Sequence, residues 1–217
     1  MRYTLLSAGG AAIAGLMTLP QAARDAGARP GWVGYISVAD VDATALRLQQ
    51  AGGKLQRPPE DIPGVGRFAV VADPHGAGFC LFRGNEAEPP PQPAMGTAGT
   101  VGWHELSAGE LDSAWAFYSG LFGWTKDRAL DMGAMGVYQL FAAGGDAIGG
   151  MMSKPPEVPQ PGWLYYFNVD AIDAAMARVT AAGGQVLNGP MEVPGPMWIL
   201  QCLDPQGAAF ALVAPKP

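Results

Sequence analysis

Apolar positions along the chain follow two periods. Leu111, Trp115 and Tyr118 recur at i, i+4 and i+7, and Gly123 follows them, which predicts a helix over 110–121 stopped by glycine. Ile172, Met176 and Val179 repeat the pattern ahead of Gly183 and Gly184. Short apolar runs of strand length lie between and around these helices: VGWHELS (101–107), VYQLFAA (137–143), AIGGMMS (147–153), WLYYFNV (163–169), a short stretch at 185–187, WILQC (198–202) and AAFALV (208–213). Gly144, Gly145 and Asp146 are a hairpin signal, and Asp204-Pro205-Gln206-Gly207 is a turn preset by proline and closed by glycine. The resulting order is strand, helix, strand, strand, strand, twice over.

The opening stretch, MRYTLLSAGGAAIAGLMTLPQAARDAGA, has two readings. One Arg, an apolar run and small residues around Ala22 and Ala23 resemble an export signal; the alternative is folded structure. An internal repeat favours the second. YTLLSAGGAAIAGLMTLP from Tyr3 matches YQLFAAGGDAIGGMMSKP from Tyr138 without a gap. The match resumes at GWVGYISVADVDA (31–43) against GWLYYFNVDAIDA (162–174), and at DPHGAGFCLF (73–82) against DPQGAAFALV (204–213). A cleaved signal has no reason to copy mid-chain sequence.

The repeat predicts two tandem domains, 1–84 and 100–217, joined by a Pro-rich extended linker at 85–99. The first copy holds one whole unit, 31–82, but only the closing hairpin of another, 3–18; nothing in it answers 101–135. It is therefore incomplete at its N-terminus. The repeat alignment leads to the expectation that the natural protein begins about 35 residues upstream; the alternative cover for the gap is a second subunit in a homodimer.

Charged residues make up only 15% of the chain, against roughly a quarter in an average globular protein, so there is much apolar surface to hide in a pocket or a subunit contact. A net charge of −6 without a Lys/Arg cluster argues against nucleic acid. No apolar run approaches the roughly 20 residues needed to span a bilayer. Two cysteines, Cys80 and Cys202, make no disulfide framework and are read as free thiols of a cytoplasmic protein.

Paired βαβββ units with FYSGLFGW after the first helix, AGG after the second and DPxG before the last strand resemble the vicinal oxygen chelate superfamily of glyoxalases, bleomycin-resistance proteins and extradiol dioxygenases. WHEL, LFGW, YQLFAAGG and GW resemble its two-domain bacterial branch. The resemblance implies an α+β fold in which paired modules form two tandem half-barrels, each with a concave ligand-binding face. Metal-dependent members hold a divalent ion by one side chain from the first and last strand of each module. Carried over, those positions fall on Trp103, Gly150, Leu164 and Ala211, and in the first copy on Val33, Cys80 and Gly15. These offer no ligand set, so no metal site and no cofactor are expected; a divalent metal held unconventionally is the alternative.

Period-2 alternation places Trp103, Glu105 and Ser107 on one face and His104 on the other. Glu105 is the candidate catalytic residue. A carboxylate in an apolar pocket suits general acid/base work or a cationic ligand, and the other reading is a structural Glu satisfied by backbone amides or a neighbouring Tyr. Trp103, Tyr166, Asn168, Met151 and Trp198 are the candidate ligand-binding residues, with core packing or local backbone bonding as their alternative roles; of these Trp198, like Gln201, is a weaker candidate because its strand register is less fixed by the pattern. Cys80 lacks a neighbouring base. The expected function is binding of a small, largely apolar organic molecule without metal. The alternative is a lyase, isomerase or oxygenase with Glu105 as base, and a third possibility is a concave sheet filled by another chain.

Overall fold

The computed structural model describes residues 3–86 and 93–217. Contacts divide the chain into two compact units that do not follow its linear order. One comprises Met1–Trp32, Pro90–Trp103 and Leu164–Pro217; the other comprises Val33–Pro89 and His104–Trp163. The modules thus pair across the Pro-rich spacer rather than on either side of it. Of the linker expected at 85–99, residues 87–92 lie outside the described residues.

The second unit holds two modules: β3 (Tyr35–Ser37), α2 (Val41–Gln50), β4 (Lys54–Ile62), β5 (Gly66–Ala72) and β6 (Gly78–Gly84), then β7 (Val101–Ala108), α3 (Leu111–Phe122), β8 (Thr125–Asp131), β9 (Val137–Ala142) and β10 (Ala147–Ser153). The first three residues of β7 belong to the other unit. The strand orders are β3-β6-β5-β4 and β7-β10-β9-β8, with first and last strands of each module parallel and the others antiparallel. Both helices and both sheets share one core, from Val41, Leu48, Val71 and Phe79 to Leu106, Phe117, Tyr118 and Met151.

Local chemistry fixes these elements. The Glu110 carboxylate accepts the amides of Asp112 and Ser113 at 2.9 and 2.7 Å, capping α3, and these bonds hold its carboxyl below the ordinary range. Gly123, at φ +68°, ends the helix in the left-handed conformation that the sequence predicted as a stop. Asp73 of the first DPxG turn is fully buried. Its Oδ1 accepts the amides of His75, Gly76 and Ala77, and Oδ2 accepts the Tyr118 hydroxyl at 3.3 Å. His75 Nε2 lies 2.8 Å from Ser113 Oγ, so the turn of one module is tied to the helix of the other.

The first unit contains the hairpin β1 (Tyr3–Ala8) and β2 (Ala11–Met17), the short helix α1 (Gln21–Asp25), and the module β11 (Gly162–Asn168), α4 (Ile172–Ala181), β12 (Gln185–Val193), β13 (Met197–Leu203) and β14 (Ala209–Ala214), with Gly162 and Trp163 of β11 belonging to the second unit. From Tyr3 on, the opening stretch is folded. Gly9 and Gly10, at φ +58° and +80°, supply the two-residue turn whose twist matches the flanking strands. The module's strand order is β12-β13-β14-β11. α4 packs on Leu200, Cys202 and Leu212, while Tyr166, Ala211 and Val213 cluster on the other face. The short strand expected at 185–187 continues to Val193 because pairing with β13 resumes beyond two register shifts, at Asn188 and again at Met191.

Candidate functional site

Alternation along β7 sorts its side chains. Leu106 and Ala108 enter the core beneath α3, and His104 shares their parity. Its Nδ1–H donates to the Ile148 carbonyl at 2.9 Å, which fixes the tautomer, since a carbonyl can only accept. Burial pushes this imidazole below its ordinary value, and the Ile148 bond partly offsets that.

Glu105 takes the opposite parity. Its carboxylate accepts a hydrogen bond from the Tyr138 hydroxyl at 3.1 Å, so a neighbouring Tyr does satisfy it. The same ring covers Gly150, the residue directly across from Glu105 on β10. A Cβ at Gly150 would lie 2.2 Å from the Tyr138 ring. Tyr138 sits two residues before Leu140, the antiparallel partner of Gly150, so ring and glycine are diagonal neighbours on one sheet face. The hairpin of the first unit repeats the device: a Cβ at Gly15 would lie 1.8 Å from the Tyr3 hydroxyl, with Leu5 the partner of Gly15.

In the first unit, Tyr166 and Ala211 are register partners in a cluster with Trp103, Leu164 and Ile199. The Tyr166 hydroxyl accepts from Gln201 Nε2 at 2.8 Å. Asn168 is buried, and its Nδ2 donates to Thr100 Oγ1 at 2.9 Å, so it braces the start of β7. Two candidates from the sequence fall elsewhere. Met151 is fully buried beneath α3 with Leu106, its partner on β7: being adjacent to Gly150, it must face the other way. Trp198 packs with the α4 cluster, whereas Met197 and Ile199 join the Tyr166 cluster. Gln201 lies on the Tyr166 side, where it donates to the Tyr166 hydroxyl. Burial raises the Cys80 thiol to about 11 and raises Cys202 as well, which leaves both inert near neutrality.

Two cavities stand out. One, of about 530 Å³ in the first unit, is lined by Leu6, Ile13, Trp32, Phe167, Phe210 and Leu212 among others, with Asn168, Asp170 and Arg178 also in its lining. The other, of about 370 Å³ in the second unit, is bounded by Ala134, Met135 and the 153–157 loop. Neither is lined by Glu105.

The profile described as "Glyoxalase/Bleomycin resistance protein/Dioxygenase superfamily" matches residues 2–81 and 100–212. The chain belongs to this superfamily. It is 35% identical to CFP32 of Mycobacterium tuberculosis, a protein named as a glyoxylase, over 99% of this chain and 81% of that protein. It is 33% identical to the anthracycline biosynthesis protein DnrV of Streptomyces peucetius, over 84% of this chain and 65% of that protein. Among solved structures, the Mn(II)-bound glyoxalase from Novosphingobium aromaticivorans superposes with a TM-score of 0.58 at 17% identity, over 83% of this chain and 62% of that one. The 2,2',3-trihydroxybiphenyl 1,2-dioxygenase of Sphingomonas wittichii gives 0.57 at 15%, over 85% and 68%. These likenesses establish the fold.

The superfamily's divalent metal does not fit the residues present. Of the four carried-over positions, Gly150 is closed by the Tyr138 ring, and Trp103, Leu164 and Ala211 belong to an apolar cluster. Among the described residues, no three His, Cys, Asp or Glu side chains converge. The Tyr138–Gly150 pair is the feature of this sheet face that sequence reasoning missed. Its signal was present, since Tyr and Gly coincide in both copies of the repeat, Tyr3 with Tyr138 and Gly15 with Gly150.

Proposed function

We propose that this protein binds a small, largely apolar organic molecule against the sheet face that carries Glu105 and Tyr138, without the divalent metal of the superfamily. The observation behind this reading is the Glu105–Tyr138 hydrogen bond laid over Gly150. Where a metal ligand would project there is an aromatic ring, and one carboxylate–phenol pair remains to orient a polar group of the ligand. The name of the Streptomyces relative agrees with this chemistry, because an anthracycline is a fused-ring, largely apolar molecule bearing hydroxyl and carbonyl groups.

The test is metal analysis of purified protein followed by thermal melting with 1,8-dihydroxyanthraquinone in the presence of a chelator. A ligand in hundredfold excess over its Kd stabilises by about 2.7 kcal/mol. The expected result is substoichiometric metal and a rise in Tm that Glu105→Gln and Tyr138→Phe each diminish. One equivalent of metal retained through dialysis, or a rise unaffected by both substitutions, overturns the proposal.

A second reading gives Glu105 a chemical role as the base of a lyase, isomerase or oxygenase. A carboxylate held by a phenol on an apolar face can take a proton from carbon beside a carbonyl. Turnover that follows a single ionisation and disappears in Glu105→Gln, while ligand still raises Tm, favours this reading over simple binding.

A further inference from the structure

α2 and α4 hold the same place in their modules, yet their charged side chains are used differently. At α2, Asp40 caps the helix by accepting the Ala43 amide on Oδ1 at 2.9 Å, and Arg47 Nη2 donates to Thr44 Oγ1 at 3.3 Å. By the repeat, Ala171 answers Asp40, Ala175 answers Thr44 and Arg178 answers Arg47. The N-cap of α4 is therefore an alanine with no side-chain cap bond, which gives up about 1 kcal/mol of helix stability. The carboxylate stands one residue earlier, at Asp170. Among the described residues, neither the Asp170 nor the Arg178 side chain enters a hydrogen bond or an ion pair. Both line the cavity of about 530 Å³ in the first unit.

We propose that this cavity binds an aromatic α-amino acid as its zwitterion. The walls suit the ring: Leu6, Ile13, Phe210 and Leu212 are apolar, and Trp32 and Phe167 meet at a centroid distance of 4.8 Å with their planes tilted by 57°, leaving aromatic faces for a planar body. A cavity of this size holds such a body when a few polar groups fix its orientation. Asp170 and Arg178 supply them, since Asn168 is committed to Thr100. Arg178 lies about two turns into α4, and helical side chains lean toward the N-terminus, so the guanidinium is carried back toward the Asp170 end. There it donates to the ligand carboxylate as a two-pronged fork, while Asp170 accepts from the ammonium. The pair also selects. A ligand with an anion alone is repelled by Asp170, one with a cation alone is repelled by Arg178, and a neutral one uses neither.

The experiment is calorimetric titration of the full chain, with chelator present, by four indoles of similar size: tryptophan, indolepropionate, tryptamine and skatole. The expected result is one tryptophan per chain, bound at least about tenfold more tightly than each of the other three. Both charged residues are exposed, so their variants are expected to melt as the parent does. Arg178→Gln is expected to weaken tryptophan and indolepropionate about tenfold while sparing tryptamine. Asp170→Asn is expected to weaken tryptophan and tryptamine while sparing indolepropionate. An analogue that matches tryptophan, tryptophan binding that both variants leave unchanged, or no binding at about 1 mM overturns the proposal. Glu105→Gln is expected to leave tryptophan binding unchanged, which separates this site from the one proposed for the organic ligand.

Discussion

The hairpins β1–β2 and β9–β10 carry nearly the same sequence in different surroundings. Met151 is fully buried beneath α3, whereas its counterpart Leu16 stands at 60% exposure. The turn glycines, the Ala-Ile run and the tyrosine-over-glycine pair are common to both. The contrast separates two things that usually travel together. A hairpin's shape is set within it, by turn chemistry and cross-strand packing, while its burial depends on what is laid over it, here α3 in one case and open space in the other.

The strongest way to break the comparison is to put a charge at equivalent positions. Met151→Lys buries an unpaired ammonium beneath α3 and is expected to cost about 4 kcal/mol or more. Leu16→Lys is expected to stay within about 0.5 kcal/mol, as surface substitutions do. Urea denaturation followed by tryptophan fluorescence reads both, and a Leu16→Lys variant as damaged as Met151→Lys would show that the two hairpins are buried alike.

A finer test adds one methyl group. Gly150→Ala drives a Cβ into the Tyr138 ring, which Glu105 holds in place, and overpacking of this kind costs about 1–3 kcal/mol. Gly15→Ala meets only the half-exposed Tyr3, which can swing away, so a change of about 0.5 kcal/mol or less is expected. Pairing Gly150→Ala with Tyr138→Ala is expected to recover much of the loss in Tm. If it recovers nothing, the ring is not the obstacle.

The smallest effect is in acid. His104 has no counterpart in the hairpin copy, and its folded value lies below the ordinary one. Its contribution is thus complete above about pH 6.5 and declines as pH falls below that value, because the unfolded chain takes up the proton first. Second-unit stability is expected to fall on mild acidification, with a shallower slope in His104→Gln. An unchanged slope would assign the pH dependence to other groups.

The modules were legible because each side-chain period is tied to its hydrogen-bonding pattern: the apolar spacing of Leu111, Trp115 and Tyr118 became α3, and Gly123 stopped it. Strand parity correctly separated His104 from Glu105. The same rule, applied to Met151 beside Gly150, would have removed Met151 from the ligand face. Trp198 was harder, because its parity depends on which residue of β13 pairs with Ala211, and a strand's own sequence does not say which residue of its neighbour it meets. The ring of Tyr138 over Gly150 depends on a diagonal contact that no single-strand pattern encodes. The pairing of modules across the spacer was not visible at all, because repeats reveal which segments are alike and not which of them touch.

That pairing also sets an order of events as the chain leaves the ribosome. Every residue of the second unit has been made once Trp163 has been added, and its two modules are joined by a short stretch of chain. The hairpin of the first unit is synthesised first yet belongs with the module that begins at Leu164. It must wait, with Leu6 and Ile13 lacking the Phe210 and Leu212 neighbours they have in the folded unit, until the last strand emerges. Closing so long a loop is slow, and a waiting apolar hairpin is the kind of surface on which nascent chains misassemble or are met by chaperones.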